Sequence, residues 1–301
     1  NRESKDSMIS TSLVSQGFNA VINYSFISEE DEIVFGESKK MIELENPISQ
    51  NMKYMRSSLF PGLINAFIHN LNNGLESQKL FEIGSVFNKK TNKLTEKNRV
   101  SGLVYGNSSA NHWLDKPKKV TFYDVKGVVE KVLSSFDLEI NFESKSFEFF
   151  HPGISSGVFD GSKIIGYLGA VSPTILEDLG LKQDVFLFSL DIDALKIRPI
   201  NKFKNFSKFP SIQRDLSFVV DKAVTGQELS SLINAKAGKY IKTASIFDVY
   251  EGKGIEANKK SIGFTLIWQS SKNTLLDSEI DKVVELIVNS VKKELGGYLR
   301  N

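Results

Sequence analysis

The stretch that decides the fold is RDLSFVV, residues 214–220, a run that predicts a β-strand. The pattern after it predicts a helix, two strands joined by a glycine-bearing turn, and a long amphipathic helix, at 226–236, 241–250, 259–269 and 277–295. The long helix is followed by Gly296, a residue typical of a helix C-terminus. This β-α-β-β-α order with a short tail predicts a ferredoxin-like βαββαβ domain at residues 205–301.

The upstream residues, 1–204, predict an α+β module of helices packed against a largely antiparallel sheet. Helices are predicted at 3–16, near Arg56, after Asp124 as the N-cap, and at 173–179, and strands at 18–26, 80–87, 100–105, 141–149, 155–160, 163–171 and 185–191. Residues 196–210 carry few aliphatic side chains and predict a linker. Two domains are therefore expected, at 1–204 and 205–301.

Composition excludes several classes of protein. With 41% hydrophobic and 25% charged residues, the 301-residue chain can bury real cores. It has no cysteine, which excludes disulfides and thiolate metal sites and favours a reducing compartment. His69, His112 and His151 lack metal-ligand spacing, so no metal site is predicted. No apolar run reaches the roughly 18–20 residues that a membrane span needs.

The polar start of the chain at Asn1 predicts a part of a longer chain without a signal peptide. Net charge is only +2, and residues from 205 onward carry 14 Lys and Arg against 11 Asp and Glu. This basic excess is too small to establish nucleic-acid binding without further evidence.

The predicted C-terminal sheet leaves one face uncovered, and that face suits unpaired bases. Asp248 and Tyr250 are two residues apart and therefore share a face. A tyrosine ring can stack on a base, and the Asp248 carboxylate can accept hydrogen bonds from a guanine edge. Ser217 and Ser261 on neighbouring strands are small donors that leave space for a base. The alternative is a polar, solvated sheet face.

Several short motifs follow one another along the chain, namely NPIS at 46–49, MRSSLFPGL at 55–63, LFEIG at 80–84, FHPG at 150–153, IGYLG at 165–169, FP at 209–210 and RDLS at 214–217. As an ordered set they resemble the bacterial phenylalanyl-tRNA synthetase β subunit over nearly the whole chain. The resemblance implies a catalytically inactive class II synthetase-like module, followed by the family's ferredoxin-fold anticodon-binding domain.

The same resemblance implies the partners of the chain. They are the catalytic α subunit, in an (αβ)₂ heterotetramer of the cytoplasm, and tRNA(Phe), with no membrane. ATP and magnesium are expected for the holoenzyme and no cofactor for this segment. The editing domain and the magnesium-binding carboxylates of the family lie upstream of Asn1.

Site residues follow from the resemblance by position. Ser217, Asp248, Tyr250, Ser261 and Arg300 fall where the family is expected to meet the first anticodon base and its neighbours. At the position of Ser217 some relatives carry Ala. A backbone contact or the small size of the side chain is therefore as plausible as a hydrogen bond from the hydroxyl.

The helix that begins near Arg56 implies a subunit interface made by Arg56, Leu59, Leu63 and Phe67. Arg56 would form an ion pair with the α subunit. From the residues alone, the alternative is an ordinary amphipathic helix with a solvated arginine.

Catalysis by this segment is not expected. Adenylate formation needs cations that neutralise ATP phosphates, and neither FEIG at 81–84 nor GYLGA at 166–170 carries an arginine. No phosphate-binding loop or nucleophile motif is present in the sequence. The alternative function is a regulatory protein whose ferredoxin-like domain binds a small metabolite.

Overall fold

Two units make up the chain in the computed structural model, Asn1–Ile200 and Asn201–Asn301. The residues that the structure describes are 2–36, 41–90, 93–109, 112–114, 116–199, 203 and 205–300. The division between the units falls four residues before the boundary expected from the sequence.

The first unit contains both helices and strands. Its helices are α1 (Arg2–Ser15), α2 (Glu29–Phe35), α3 (Phe60–Asn72), α4 (Phe122–Leu133) and α5 (Pro173–Asp178). Its strands are β1 (Asn19–Ala20), β2 (Phe26–Ile27), β3 (Ile42–Glu43), β4 (Tyr54–Met55), β5 (Gln78–Lys90), β6 (Lys93–Tyr105), β7 (Ile140–Ser144), β8 (Phe150–Asp160), β9 (Lys163–Val171) and β10 (Val185–Asp191).

In the described residues, seven of these strands form one sheet in the order β1-β5-β6-β10-β9-β8-β7. Every neighbouring pair is antiparallel except β1 with β5. The hydrophobic run VFLFSL in β10 is buried throughout because both faces of the sheet are covered. Apolar residues of α1 and α4 pack on one face and those of α3 on the other.

The strand predicted at 18–26 is wrong in its middle, where the chain leaves the sheet after β1. The Val21 amide still donates to the Phe81 carbonyl, but Asn23 turns toward Glu82. The amide side chain of Asn23 donates to a carboxylate oxygen of Glu82 at 2.7 Å. The Asn23 backbone amide also donates to the Glu82 carboxylate, at 3.4 Å, where the ladder would need a backbone carbonyl, so the segment resumes as a strand only at β2.

Three helix starts also differ from the sequence expectation, and the first is α3, which begins at Phe60, four residues after Arg56. Helix α2 was not predicted; it begins after Ser28, whose hydroxyl accepts from the Asp31 amide at 3.1 Å. Helix α4 is capped by Thr121 instead of Asp124. Asp124 is the third helical residue, and its carboxylate accepts from the Thr121 amide in a reciprocal capping box.

The second unit follows the predicted order closely. Its elements are β11 (Ile212–Asp221), α6 (Gly226–Lys236), β12 (Ile241–Tyr250), β13 (Lys259–Trp268), α7 (Asp277–Leu295) and β14 (Tyr298–Leu299). In the described part of this unit the sheet has four strands, ordered β12-β13-β11-β14, all antiparallel. Helices α6 and α7 pack on one face, around Phe218, Phe264 and Trp268. The predicted α+β fold class, with a βαββαβ second domain, is confirmed.

Arg214 and Asp215 do not pair with each other, because successive residues of a strand point to opposite faces. Arg214 instead bonds Asp277 and Asp281 on α7, which raises the pKa of the guanidinium. Asp215, on the other face, accepts from the Thr265 hydroxyl at 2.8 Å.

Candidate nucleic-acid interface

Four of the predicted site residues share the sheet face opposite the two helices. Ser217 on β11 and Asp248 on β12 both lie opposite Gly263 on the central strand β13. Tyr250 lies opposite Ser261, two residues along the same strand. Residues paired across a ladder point to the same face, as do residues two apart along a strand. Pairing therefore brings all four side chains onto one surface, which we call the platform.

Arg300 joins the platform from the far edge of the sheet. Its backbone amide donates to the Ser217 carbonyl at 2.7 Å, which fixes the residue beside β11. Its guanidinium carbon lies 5.1 Å from the centroid of the Tyr250 ring, a cation–π contact. Because β12 and β14 are the two edge strands, this contact carries the Arg300 side chain across the platform.

Burial limits the role available to Ser261. The sequence predicts an open hydroxyl donor, but Ser261 is only 3% exposed. It lies on the central strand β13, opposite Tyr250 on β12 and Val219 on β11. A base therefore has little access to Ser261 in this arrangement. The Asp248 carboxylate, in contrast, is exposed.

The Tyr250 side chain is partly exposed, and a hydrogen bond holds its hydroxyl in place. The residue is 36% exposed, and its hydroxyl donates to the Lys253 carbonyl at 3.2 Å. Gly252 makes room for that hydroxyl, since a Cβ there would lie 3.0 Å from the oxygen, and its φ of 152° suits glycine. The ring is thus held at its tip by the turn that follows the strand.

Cations lie at the end of the platform near this turn. Lys222 pairs with Glu251 at 2.8 Å, and its hydrogen bond lowers the pKa of that carboxyl. Lys259 pairs with Glu256 at 2.9 Å, which raises the pKa of the lysine, and also lies 5.1 Å from the centroid of the Tyr298 ring. Exposed pairs of this kind are weak, so phosphates can compete for both lysines.

One platform residue was missed by sequence reasoning. Simple alternation assigns Phe247 to the face opposite Asp248, but the register of β12 shifts between Ile246 and Asp248. The shift is a β-bulge, and the Phe247 ring lies over Gly263 on the platform. The available signal was Gly263 itself, because an isolated glycine within a strand suggests a bulge or a close approach.

The predicted subunit-interface residues occupy a different environment from the one expected. Leu63 and Phe67 are buried in the core of their own unit, between α3 and the large sheet, and Leu59, the residue before α3, is buried as well. The predicted stripe is real, but it packs on the sheet and leaves these side chains no surface for a partner. The sequence suggested that these residues contact another subunit directly. In the structure they instead support the position of α3 on the sheet.

Arg56 is likewise neither solvated nor available for an ion pair with another subunit. Its guanidinium donates to Glu82 at 2.7 Å, and both side chains are buried. The Arg56 Nε–H also donates to the Ser85 carbonyl at 3.1 Å. Gly84 leaves the space for this arrangement, because a Cβ there would lie 2.5 Å from Nη2 of Arg56.

Large apolar side chains are exposed on the segments that follow β1 and β3. Ile22 is 97% exposed and Tyr24 is 70% exposed, and the Tyr24 carbonyl accepts from Arg56 at 3.4 Å. Ile48, in the loop between β3 and β4, is 85% exposed. We refer to Ile22, Tyr24 and Ile48 as the apolar rim.

Neither a metal centre nor a membrane span is found in the part of the chain that the structure describes. No group of three or more His, Asp or Glu residues there could hold a metal ion. Nor does any helix in those ranges have the length and apolar character needed to cross a bilayer.

Comparison with known proteins agrees with this architecture. Residues 207–300 match the family model of the ferredoxin-fold anticodon binding domain. Residues 1–192 match the model of the phenylalanyl tRNA synthetase beta chain CLM domain. The chain therefore belongs to the phenylalanyl-tRNA synthetase β chain family.

Similar proteins include the phenylalanine–tRNA ligase β subunits of Coxiella burnetii, 33% identical over 291 residues, and Pseudomonas putida, 34% identical over 290 residues. Each alignment covers 96% of this chain and 37% of the relative, so the chain spans little more than a third of those proteins. A solved pyrrolysyl tRNA synthetase, PylSc of Desulfitobacterium hafniense, has a TM-score of 0.48 at 15% identity, covering 63% of this chain and 66% of that one. That likeness is too weak to support an inference.

Proposed function

We propose that this chain holds the anticodon region of tRNA(Phe) and bridges to the catalytic α subunit within a cytoplasmic phenylalanine–tRNA ligase, an (αβ)₂ heterotetramer. Residues 1–204 would be the noncatalytic synthetase-like module and residues 205–301 the anticodon-binding domain. The observation that carries the proposal is the convergence of five side chains on one sheet face, namely Ser217, Asp248, Tyr250, Ser261 and Arg300.

Each side chain of the platform has a chemical task in this proposal. The Tyr250 ring stacks on an unpaired base, a contact worth about 1–3 kcal/mol. Asp248 accepts from the N1–H and amino group of guanine, a pair of donors that the other bases do not present together. Arg300 leaves the Tyr250 ring as the base arrives and turns its donors to the RNA backbone. The small serine at 217 leaves room for the base.

Tyr250→Ala tests the platform directly. Loss of stacking is expected to weaken binding of a tRNA(Phe) transcript by about 1–3 kcal/mol in a filter-binding assay. The matched control is Val249→Ala, because Val249 lies on the same strand, is also exposed, and points to the opposite face. Equal affinity of wild type and Tyr250→Ala would count heavily against the platform as the binding site.

Salt dependence separates this function from small-metabolite binding. An RNA ligand releases counterions when lysines and arginines contact phosphates, so its affinity falls steeply with salt concentration. Binding of a small metabolite to the same face would show no such slope. A flat salt profile for the wild-type chain would favour the metabolite-binding alternative.

The bridging role is supported by the apolar rim, not by the buried stripe of α3. Burial of Leu59, Leu63 and Phe67 holds α3 on the sheet, and the Arg56–Glu82 pair fixes the neighbouring segment. We infer that these residues support a contact surface whose exposed part is the rim. Large apolar side chains with this exposure gain free energy when a partner removes them from water.

ATP and magnesium belong to this proposal as ligands of the whole ligase. The described residues of this chain offer no group of metal-ligating side chains to hold magnesium. No chemical step of aminoacylation is therefore assigned to them.

A further inference from the structure

The bulge in β12 changes which side chains the platform presents. Ile246 pairs with Phe264, and Asp248 pairs with the next residue of β13, Gly263, so Phe247 is the extra residue. A classic bulge turns two successive side chains toward the same side of the sheet. Phe247 and Asp248 therefore both belong to the platform, although they are adjacent in sequence.

Gly263 is the reason that the ring can lie flat against the sheet. A Cβ added at Gly263 would be 2.8 Å from Cζ of Phe247 and 3.0 Å from Cε2. The ring occupies the volume that any larger side chain at 263 would fill. Its inner side is thus packed against backbone, which limits its freedom before any ligand binds.

The outer side of the same ring remains open. Phe247 is 57% exposed although it contacts the sheet. A pre-oriented aromatic ring with one free face is what base stacking uses, because little side-chain entropy is left to lose on binding. Phe247 also has no polar group, so it would accept any base without selecting among them.

We propose that Phe247 is a second base-stacking residue of the platform, beside Tyr250. The residues beneath the two rings, Gly263 and Ser261, are two apart on β13, or about 6.7 Å along the strand. The platform would then hold two neighbouring unpaired nucleotides, one on each ring, with the Asp248 carboxylate between them. This inference rests on the proposed RNA-binding function and assigns a residue beyond it.

A purely structural role for Phe247 predicts different behaviour. Aromatic rings also cover glycines in sheets simply to stabilise them. In that case removal of the ring would lower stability and leave RNA affinity per folded molecule unchanged. Affinity, stability and salt dependence must therefore be measured on the same variants.

The test uses the 301-residue chain and a tRNA(Phe) transcript. Phe247→Leu keeps an apolar side chain and removes the ring, and Phe247→Tyr keeps the ring. We expect Phe247→Leu to raise the Kd about 5- to 150-fold and Phe247→Tyr to bind like wild type. Val249→Ala, equally exposed at 57% but on the other face, should leave the Kd unchanged.

Salt titration separates the loss of stacking from general damage to the fold, because a damaged binding surface would also change the salt dependence of the affinity. Stacking on an uncharged ring releases no counterions, so Phe247→Leu should weaken binding with an unchanged slope of log K against log salt. Arg300→Ala should make the same slope shallower. A Phe247→Leu variant with the wild-type Kd overturns the proposal.

A second variant keeps the proposal testable if Phe247→Leu unfolds. Phe247→Trp retains an aromatic ring and reports stacking by its own fluorescence, after subtraction of the wild-type signal from Trp113 and Trp268. Saturation with the transcript should quench the new fluorescence, and an unquenched signal overturns the proposal. If Tyr250→Ala weakens binding while the Phe247 variants do not, the platform stands and only the second stacking residue is lost.

Discussion

At the scale of single residues, the Arg56–Glu82 pair joins parts of the first unit that are distant in sequence. Glu82 accepts from Arg56 at 2.7 Å and from the Asn23 side chain at 2.7 Å, so three segments meet at one carboxylate. Two charges taken out of water are costly, and their attraction offsets that cost only while both remain. The intact pair therefore adds little net stability, although the loss of one of its two charges is costly.

Arg56→Met is expected to lower the free energy of unfolding of the first unit by about 3–5 kcal/mol, because Glu82 is left charged and buried without its cation. Urea unfolding followed by circular dichroism measures the loss. The double variant Arg56→Met, Glu82→Leu removes both charges and should recover most of the stability. A double variant as unstable as Arg56→Met would contradict this account of the pair.

Platform residues show what a single position can reveal in the sequence alone. The period of two along β12 predicts a common face for Asp248 and Tyr250, and the register confirms that face. Their RNA contacts stay predictions, as do those of Ser217 and Arg300. The burial of Ser261 could not be foreseen, because its exposure depends on the two strands that pair with β13 and are distant in sequence.

At the scale of elements, helix α2 is attached to the rest of its unit through a buried carboxyl. Glu32 lies on its inner side and accepts hydrogen bonds from the amide and the hydroxyl of Ser57. Burial raises the pKa of Glu32 above 4.5, and the Ser57 bonds oppose the rise without cancelling it. The docking of α2 should therefore depend on pH.

The sign of that dependence follows from proton linkage. Since the pKa of Glu32 is higher in the folded chain than in the unfolded one, the folded state binds the proton more tightly. Stability from this group therefore increases as pH falls through the raised pKa toward 4.5 and is lost as pH rises. We expect the wild type to gain stability relative to Glu32→Gln between pH 7.5 and pH 5, measured by urea unfolding.

Glu30→Gln is the matched control for that experiment, because Glu30 lies on the same helix and is exposed. Its stability difference from wild type should stay nearly constant over the same pH range. A difference between wild type and Glu32→Gln that is equally constant would show that the buried carboxyl does not govern the docking of α2.

The boundaries of the two helices in the second unit could be predicted from the sequence. The predicted spans of α6 and α7 agree with the structure at both ends. For α6, Thr225 and Glu228 form a capping box, and for α7, Gly296 adopts a φ of 63° just after the last turn. The capping box and Gly296 lie within a few residues of the helix termini that they mark, so both can be recognised from the sequence without tertiary structure.

At the scale of the whole molecule, the proposed bridging role depends on association with the catalytic α subunit. The apolar rim is the surface that we expect to contact the α subunit. Residues with large apolar side chains and high exposure, Ile22 and Ile48 above all, should be covered in the assembled ligase.

Replacement of both rim isoleucines, Ile22→Ser with Ile48→Ser, should abolish capture of a tagged α subunit in a pull-down. Stability should change little, because neither side chain is part of the core. Trp113→Ser is the control, since Trp113 is also largely exposed but lies in a different loop of the first unit. Undiminished capture by the double variant would refute the rim as the interface.

Patterns of side chains along the chain were enough to predict the α+β class, the order of elements in the second unit and the common face of Asp248 and Tyr250. Period, caps and turn glycines are local, and each reports its own element. The partners of Arg56, the direction of the α3 stripe and the turn of Phe247 onto the platform were decided by packing. Each depends on a part of the chain that is distant in sequence. Arg56 pairs with Glu82, the α3 stripe packs on the large sheet, and Phe247 lies over Gly263. A hydrophobic pattern says that a face is buried, but only the assembled core determines what buries it.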